Sequence, residues 1–169
     1  MFQRIALVMD IECFSRLPTA AVSEISLVLM DLATGSIMGK ETVFLNPFDQ
    51  NGHIEESTKK WCLKNLPGVN LEKSFAVTES RTALDEFIKN VNSLITKHQL
   101  EKGKFRIYSR GSNFDLPIFQ SLLSRESGKP HAMWDFRSEY CHRTVLEIAF
   151  SDEDLLKAED KAIQLAELY

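Results

Sequence analysis

The chain has 169 residues, 44 % of them hydrophobic and 26 % charged, and a formal net charge of −4. Those values fit one domain, 1–169, with its own core, and exclude a protein that holds nucleic acid by bulk positive charge. The apolar runs are strand-sized, which excludes a membrane span, and Met1-Phe2-Gln3-Arg4 runs straight into the first strand, so no signal peptide is expected.

In chain order, Ile5-Ala6-Leu7-Val8-Met9-Asp10-Ile11-Glu12 reads as a buried strand that ends in acids. A loop with Pro18 follows, then a second strand over 24–31, a turn at Ala33-Thr34-Gly35-Ser36, and a third strand over 37–45 stopped by Asn46-Pro47. Short connections predict an antiparallel meander for these three. A helix is expected over 57–66, ending at Pro67-Gly68. The clearest helix spans 79–97, where Leu84, Phe87, Ile88, Val91, Leu94 and Ile95 form one apolar stripe.

A fourth strand is expected over 105–109 and a helix from Asn113, with Pro117 in its first turn. A short strand near 132–134, a helix over 143–150 and a last helix over 152–169 complete the reading. Antiparallel strands first and strand–helix alternation later give an α/β three-layer domain. Cys13, Cys62 and Cys141 are an odd number without metal-type spacing, as expected of reduced thiols in the cytoplasm.

Asp10 and Glu12 carry the most chemistry. Strand alternation points i and i+2 to one face, so both carboxylates converge at the strand's end, where they repel each other. A divalent cation relieves that conflict, and Mg²⁺ or Mn²⁺ favours such oxygen donors. Two solvated acids at a strand end are the plain alternative. Asp115, in Arg110-Gly111-Ser112-Asn113-Phe114-Asp115, follows the fourth strand directly. It meets Asp10 and Glu12 if that strand lies beside the first and parallel to it. On its own, Asn113 reads as a helix cap and Asp115 as a helix N-terminal charge.

Asp10-x-Glu12 followed by Asn113-Phe114-Asp115 resembles the first two motifs of the DEDD 3′–5′ exonucleases. Within them the chain is most similar to the group of exonuclease VIII N-terminal-type domains, phage exonuclease A and the mycobacterial exoribonuclease. Thr58-x-x-Trp61 and Trp134 followed by Arg143-Thr144 resemble further segments of that group. The resemblance implies a ribonuclease-H-like fold with a mixed five-stranded sheet flanked by helices. It also implies a two-metal phosphodiesterase acting on 3′ ends of single-stranded DNA or RNA, quite in keeping with a phage or mobile-element source and a homodimer. Asp10 would bridge two Mg²⁺ or Mn²⁺ ions, with Glu12 and Asp115 on either side. Ile11 and Cys13 would line the 3′-terminal nucleotide through their backbone. Phe114 would pack on a base or sugar, or in the core; Trp61 would stack on a base, or pack half-buried on its helix.

The third motif departs from the family's. Its general-base His and its metal-binding Asp fall on Leu156 and Lys161 of the last helix, while a one-residue slide recovers Asp160 but puts Leu155 at the histidine position. His142 is the best substitute base; His53, His98 and His131 carry no motif. Lys161 lies beside the apolar stripe of Leu155, Ala158, Ala162, Leu165, Ala166 and Tyr169. Turned inward, its ammonium would replace a metal. Two readings follow: an exonuclease using Asp10, Glu12, Asp115 and Asp160, or a catalytically impaired DEDD-fold protein that binds nucleic acid or a protein partner. Lys102, Lys104, Arg106 and Arg110, or Lys59, Lys60 and Lys64, would track phosphates or form solvated faces.

Overall fold

A computed structural model describes residues 4–101, 104–111, 113–128, 133–141 and 144. Five strands make one mixed sheet in the order β3-β2-β1-β4-β5: β1 Ile5–Cys13, β2 Val22–Asp31, β3 Ile37–Phe44, β4 Arg106–Ser109 and β5 Glu139–Cys141. The first three form the expected antiparallel meander, while β4 pairs parallel with β1 and β5 parallel with β4. Its β2–β3 turn carries Gly35 at φ 71°, a left-handed conformation that suits glycine.

The helices are α1 Glu56–Asn65, α2 Gly68–Phe75, α3 Ser80–Lys97 and α4 Asp115–Leu122, the last continuing as a π-helical turn over Leu123–Ser127. The stripe of α3 buries Leu84, Phe87 and Val91. The helix packs so tightly on β3 that a Cβ at Gly39 would come within 3.0 Å of Leu94. The central core combines Leu7, Met9 and Ile11 of β1 with Ile25, Leu27 and Leu29 of β2, Ile107 of β4 and Leu116, Phe119 and Leu122 of α4. Alternation follows directly. Odd positions of β1 point into this core, which leaves Asp10 and Glu12 on the opposite face.

Two expectations need correction. Pro67-Gly68 ends α1 but also opens α2, with Pro67 at the N-cap position, where its lack of an N–H costs nothing. The expected strand near 132–134 is displaced to Glu139–Cys141. Met133 and Trp134 instead form a bend whose side chains enter the core. The Trp134 ring stacks on Phe119 at 5.3 Å and donates from Nε1 to Glu139 Oε1 at 3.1 Å, so its aromatic signal reflects core filling rather than strand pairing. The helices expected over 143–150 and 152–169 lie outside the described residues, apart from Thr144, which is helical.

A satellite cluster sits over the end of β1. Phe14 is fully buried against Cys62 of α1 and Leu71 of α2, with Ile54 and Leu66 closing the edge. It holds the α1–α2 corner above the strand that carries the acids. The 14–21 loop is tied down by a close backbone approach. A Cβ at Gly52 would lie 2.6 Å from Ala21 Cα, so only glycine lets Ala21 N–H reach His53 O at 2.9 Å.

Candidate active site

The β1–β4 ladder runs from Ala6↔Arg106 to Met9↔Ser109 and stops there. Beyond Met9 the chain of β4 turns away through Gly111, where Phe114 N–H donates to Gly111 O at 2.9 Å, and enters α4 at Asp115. A crevice therefore opens between the carboxyl ends of two parallel strands, the usual place for ligands in such sheets. Asp10 and Glu12 border it from β1, and Asp115 from the first turn of α4.

Asp10 is exposed, Glu12 half-buried and Asp115 buried. Burial first, then the neighbouring Asp10, Glu24 and Asp115 carboxylates, pushes Glu12 up to about 7. Burial and Asp10 push Asp115 up to about 6, although the Gly111 backbone and the Ser109 hydroxyl pull the other way. Asp10 is thus close enough to hinder the ionisation of both Glu12 and Asp115, and Asp115 that of Glu12. An all-oxygen set of this kind fits a hard divalent cation, which would restore the ionised forms. Among the described residues no three His, Cys, Asp or Glu side chains are grouped tightly enough to hold an ion by themselves.

Glu24 was missed by sequence reasoning. It stands opposite Glu12 in the β1–β2 register, as Ser26 stands opposite Asp10. Glu24, Asp10, Glu12, Ser26, Leu66, Pro67 and Asn70 line a pocket of about 160 Å³. Asn70 Nδ2 donates to Glu24 Oε2 at 3.1 Å and Ser26 Oγ to Oε1 at 3.3 Å. The signal was an acid two residues before a serine on a strand expected to pair with β1. Without the register, neither residue's partner could be named.

Ile11 and Cys13 send their side chains into the core, and burial first of all pushes the Cys13 thiol up to about 12, which makes it inert at neutral pH. Asn113 is exposed and does not cap α4, whose N-cap position is Phe114 with no side-chain cap. Phe114 is 37 % exposed on the rim rather than in the core, and Trp61, at 57 %, stands out from α1. Neither His53 nor His98 lines the acid pocket. His53 Nδ1 lies 2.8 Å from Ser15 Oγ, and the ring borders a separate hollow with Arg16, Leu17 and Glu55. Asp160, Lys161, Leu155, Leu156 and His142 lie outside the described residues.

The two basic groups differ. Arg106 begins β4, three residues before its site end, and lies over the Tyr140 ring at 5.2 Å; Lys104 pairs with Glu101. Lys102 lies outside the described residues. Arg110 is exposed at the site end of β4. On α1, Lys60 and Lys64 are exposed beside Trp61, while Lys59 pairs with Glu56 and sits over Phe48.

The fold is similar to that of exonuclease I. A product-bound exonuclease I structure aligns with TM-score 0.60 at 19 % identity, covering 85 % of this chain and 31 % of that one. Escherichia coli exonuclease I in complex with a dT13 oligonucleotide aligns with TM-score 0.57 at 17 % identity, over 82 % of this chain and 28 % of that one. The chain therefore spans about a third of the length of these proteins, and the likeness is one of fold, ribonuclease-H-like in architecture. No curated protein matches it by sequence. The family described as the 3′-5′ exoribonuclease Rv2179c-like domain matches residues 5–167, nearly the whole chain and the terminal segment with it. The chain belongs to this family, within the DEDD 3′–5′ exonuclease superfamily.

Proposed function

We propose that the protein is a metal-dependent 3′–5′ exonuclease that removes nucleotides from the 3′ ends of single-stranded RNA or DNA. The observation that carries this reading is the convergence of Asp10 and Glu12 from β1 with Asp115 from the first turn of α4, close enough that Asp10 adds to burial in raising both of the other carboxyls. Asp10, Glu12 and Asp115, with Asp160 from the terminal segment, would hold two Mg²⁺ or Mn²⁺ ions. Ions bound there would supply an activated water and charge stabilisation at the phosphoryl and leaving oxygens.

The chain's own residues then have separate tasks. Asp10 is exposed where Glu12 is half-buried and Asp115 buried, so an ion held by Asp10 would face incoming phosphate groups first. Asp115 is fixed by α4, whose positive N-terminal end favours its ionised form. The Ile11 and Cys13 backbone and the Phe114 ring would flank the terminal nucleotide, with Trp61 and the α1 lysines along the strand upstream. The three free cysteines suit a reducing cytoplasm. No helix among the described residues is long and apolar enough to cross a membrane.

A second reading, a DEDD-fold protein that binds nucleic acid or a partner without cleaving, is favoured by one observation. Neither His53 nor His98 faces the acids, and the position of the usual base is taken by Leu156 or Leu155. A missing base costs roughly 10²–10⁴-fold in rate, which leaves an impaired enzyme measurable and a dead one silent. Incubating labelled single-stranded oligonucleotides with Mg²⁺ or Mn²⁺ separates the two. Stepwise loss from the 3′ end supports the enzyme, whereas tight binding without loss supports the module.

A further inference from the structure

We infer that Ser109 is a positioning residue, whose buried hydroxyl aligns the Asp115 carboxylate for a divalent ion. The inference rests on the nuclease reading above and adds to it a residue outside the acidic set.

Ser109 is the last residue of β4 and stands between Met9 of β1 and Cys141 of β5 in the two parallel ladders. The chain then turns through Gly111 and enters α4 at Asp115. Ser109 is fully buried, next to the buried side chains of Ile107 and Tyr108 on the same strand. A hydroxyl in such a place is costly to desolvate and calls for a bond in return. Among the described residues, Ser109 Oγ has no well-formed hydrogen bond. A serine just before a helix is often its cap, but the N-cap position of α4 is Phe114 and no side chain caps it. Capping therefore does not account for Ser109.

What the hydroxyl faces is the Asp115 carboxyl. It lies near enough to favour the ionised form of that acid, as the Gly111 backbone does. Asp115 is itself buried, so few groups can compete for its oxygens. A hydroxyl carries one proton and donates it once. Given to an ionised Asp115, that proton makes a charge-assisted bond that holds one carboxylate oxygen and leaves the other to an ion. Partners placed behind a metal-binding carboxylate fix its direction, and their loss lowers metal affinity by about tenfold to a hundredfold. Ser109 touches neither ion nor substrate in this arrangement and acts only through Asp115.

The test titrates the full chain with Mn²⁺ in a calorimeter, with melting temperature in EDTA and degradation of a single-stranded oligonucleotide followed alongside. The proteins are the wild type, Ser109→Ala, Ser109→Cys, Asp115→Asn and the double variant Ser109→Ala with Asp115→Asn. Mn²⁺ binding should weaken about tenfold in Ser109→Ala and in Ser109→Cys, which keeps the size but donates poorly. Melting temperature in EDTA should not fall, because an unpartnered hydroxyl adds nothing to the metal-free fold. In the Asp115→Asn background, Ser109→Ala should have no further effect on Mn²⁺ affinity. Unchanged affinity in Ser109→Ala, with degradation by the wild type intact, overturns the positioning role and leaves the nuclease standing. A full additional loss in the double variant overturns it too, as does a melting temperature lowered in both single Ser109 variants, since Ser109 then serves the fold. Affinity that depends on Ser109 without any degradation keeps the positioning role and removes the nuclease. A folded wild type that neither binds Mn²⁺ nor degrades removes both.

Discussion

Glu12 and Glu24 stand directly opposite each other across the β1–β2 ladder, two carboxylates at a cross-strand position where like charges destabilise a sheet. Among the described residues, neither lysine nor arginine lines the pocket beside them. Such a pair persists where function needs it, and its cost falls on the free protein.

Stability of the metal-free protein therefore depends on pH in a defined direction. Glu12 ionises near 7 and Asp115 near 6 in the folded chain, both above their ordinary values of 4.5 and 3.8. A carboxyl raised on folding contributes stability that is complete below the unfolded pKa and is lost as pH climbs through the folded one. Melting temperature in EDTA should fall from about pH 4 to pH 7 and then level off. Saturating Mn²⁺ should reverse the fall, because bound ions favour the ionised acids. A flat profile in EDTA, or no shift with Mn²⁺, contradicts the coupling.

Glu12→Gln removes one charge from the cluster and keeps the side chain's size. Melting temperature at pH 8 in EDTA should rise by a few degrees, at about 2–4 °C per kcal/mol relieved for a chain of this length. Activity should fall at least about a hundredfold in the same variant, in line with the loss of a general catalytic contribution. Opposite signs on stability and activity mark a site under electrostatic strain.

The two tryptophans should separate. Trp134 is fully buried on Phe119, and Trp134→Ala should cost about 3–5 kcal/mol in chemical denaturation. Trp61 is 57 % exposed, so Trp61→Ala should leave the denaturation midpoint nearly unchanged. It should weaken single-strand binding by about 1–3 kcal/mol in a fluorescence titration, the worth of one base stacked on an aromatic ring.

Arg106 begins β4 at the far end from the acids and is engaged with Tyr108 and Tyr140. Arg106→Ala should leave oligonucleotide affinity within about twofold of wild type, while costing on the order of 1 kcal/mol of stability through the lost ring contact. Arg110→Ala, at the site end, should weaken binding and lower its salt dependence. The same titration at two salt concentrations checks both.

The sheet and the first acids were legible in the sequence because single-strand signals carry them. Period-two burial and two acids at i and i+2 need no partner strand to be read, and the α3 stripe is equally local. Glu24 was not legible as part of the site, since its position depends on register. The 14–21 loop is long, and a slip of one residue would turn Glu24 to the other face. Trp134 misled for a related reason, because a large aromatic residue signals burial whether it lies in a strand or plugs a bend. Pro67-Gly68 announced one helix end and also opened the next helix, so α2 was hidden behind its own start.

The central claim is that the acids at the ends of β1 and α4 support hydrolysis at a 3′ terminus. Its most direct test follows 5′-labelled single-stranded RNA and DNA oligonucleotides with Mg²⁺ or Mn²⁺, wild type beside Asp10→Ala. The account predicts a ladder of products shortening one nucleotide at a time from the 3′ end, abolished in Asp10→Ala and by EDTA. A folded wild-type protein that leaves every substrate intact with both metals, or an Asp10→Ala variant that degrades as fast as wild type, would contradict it.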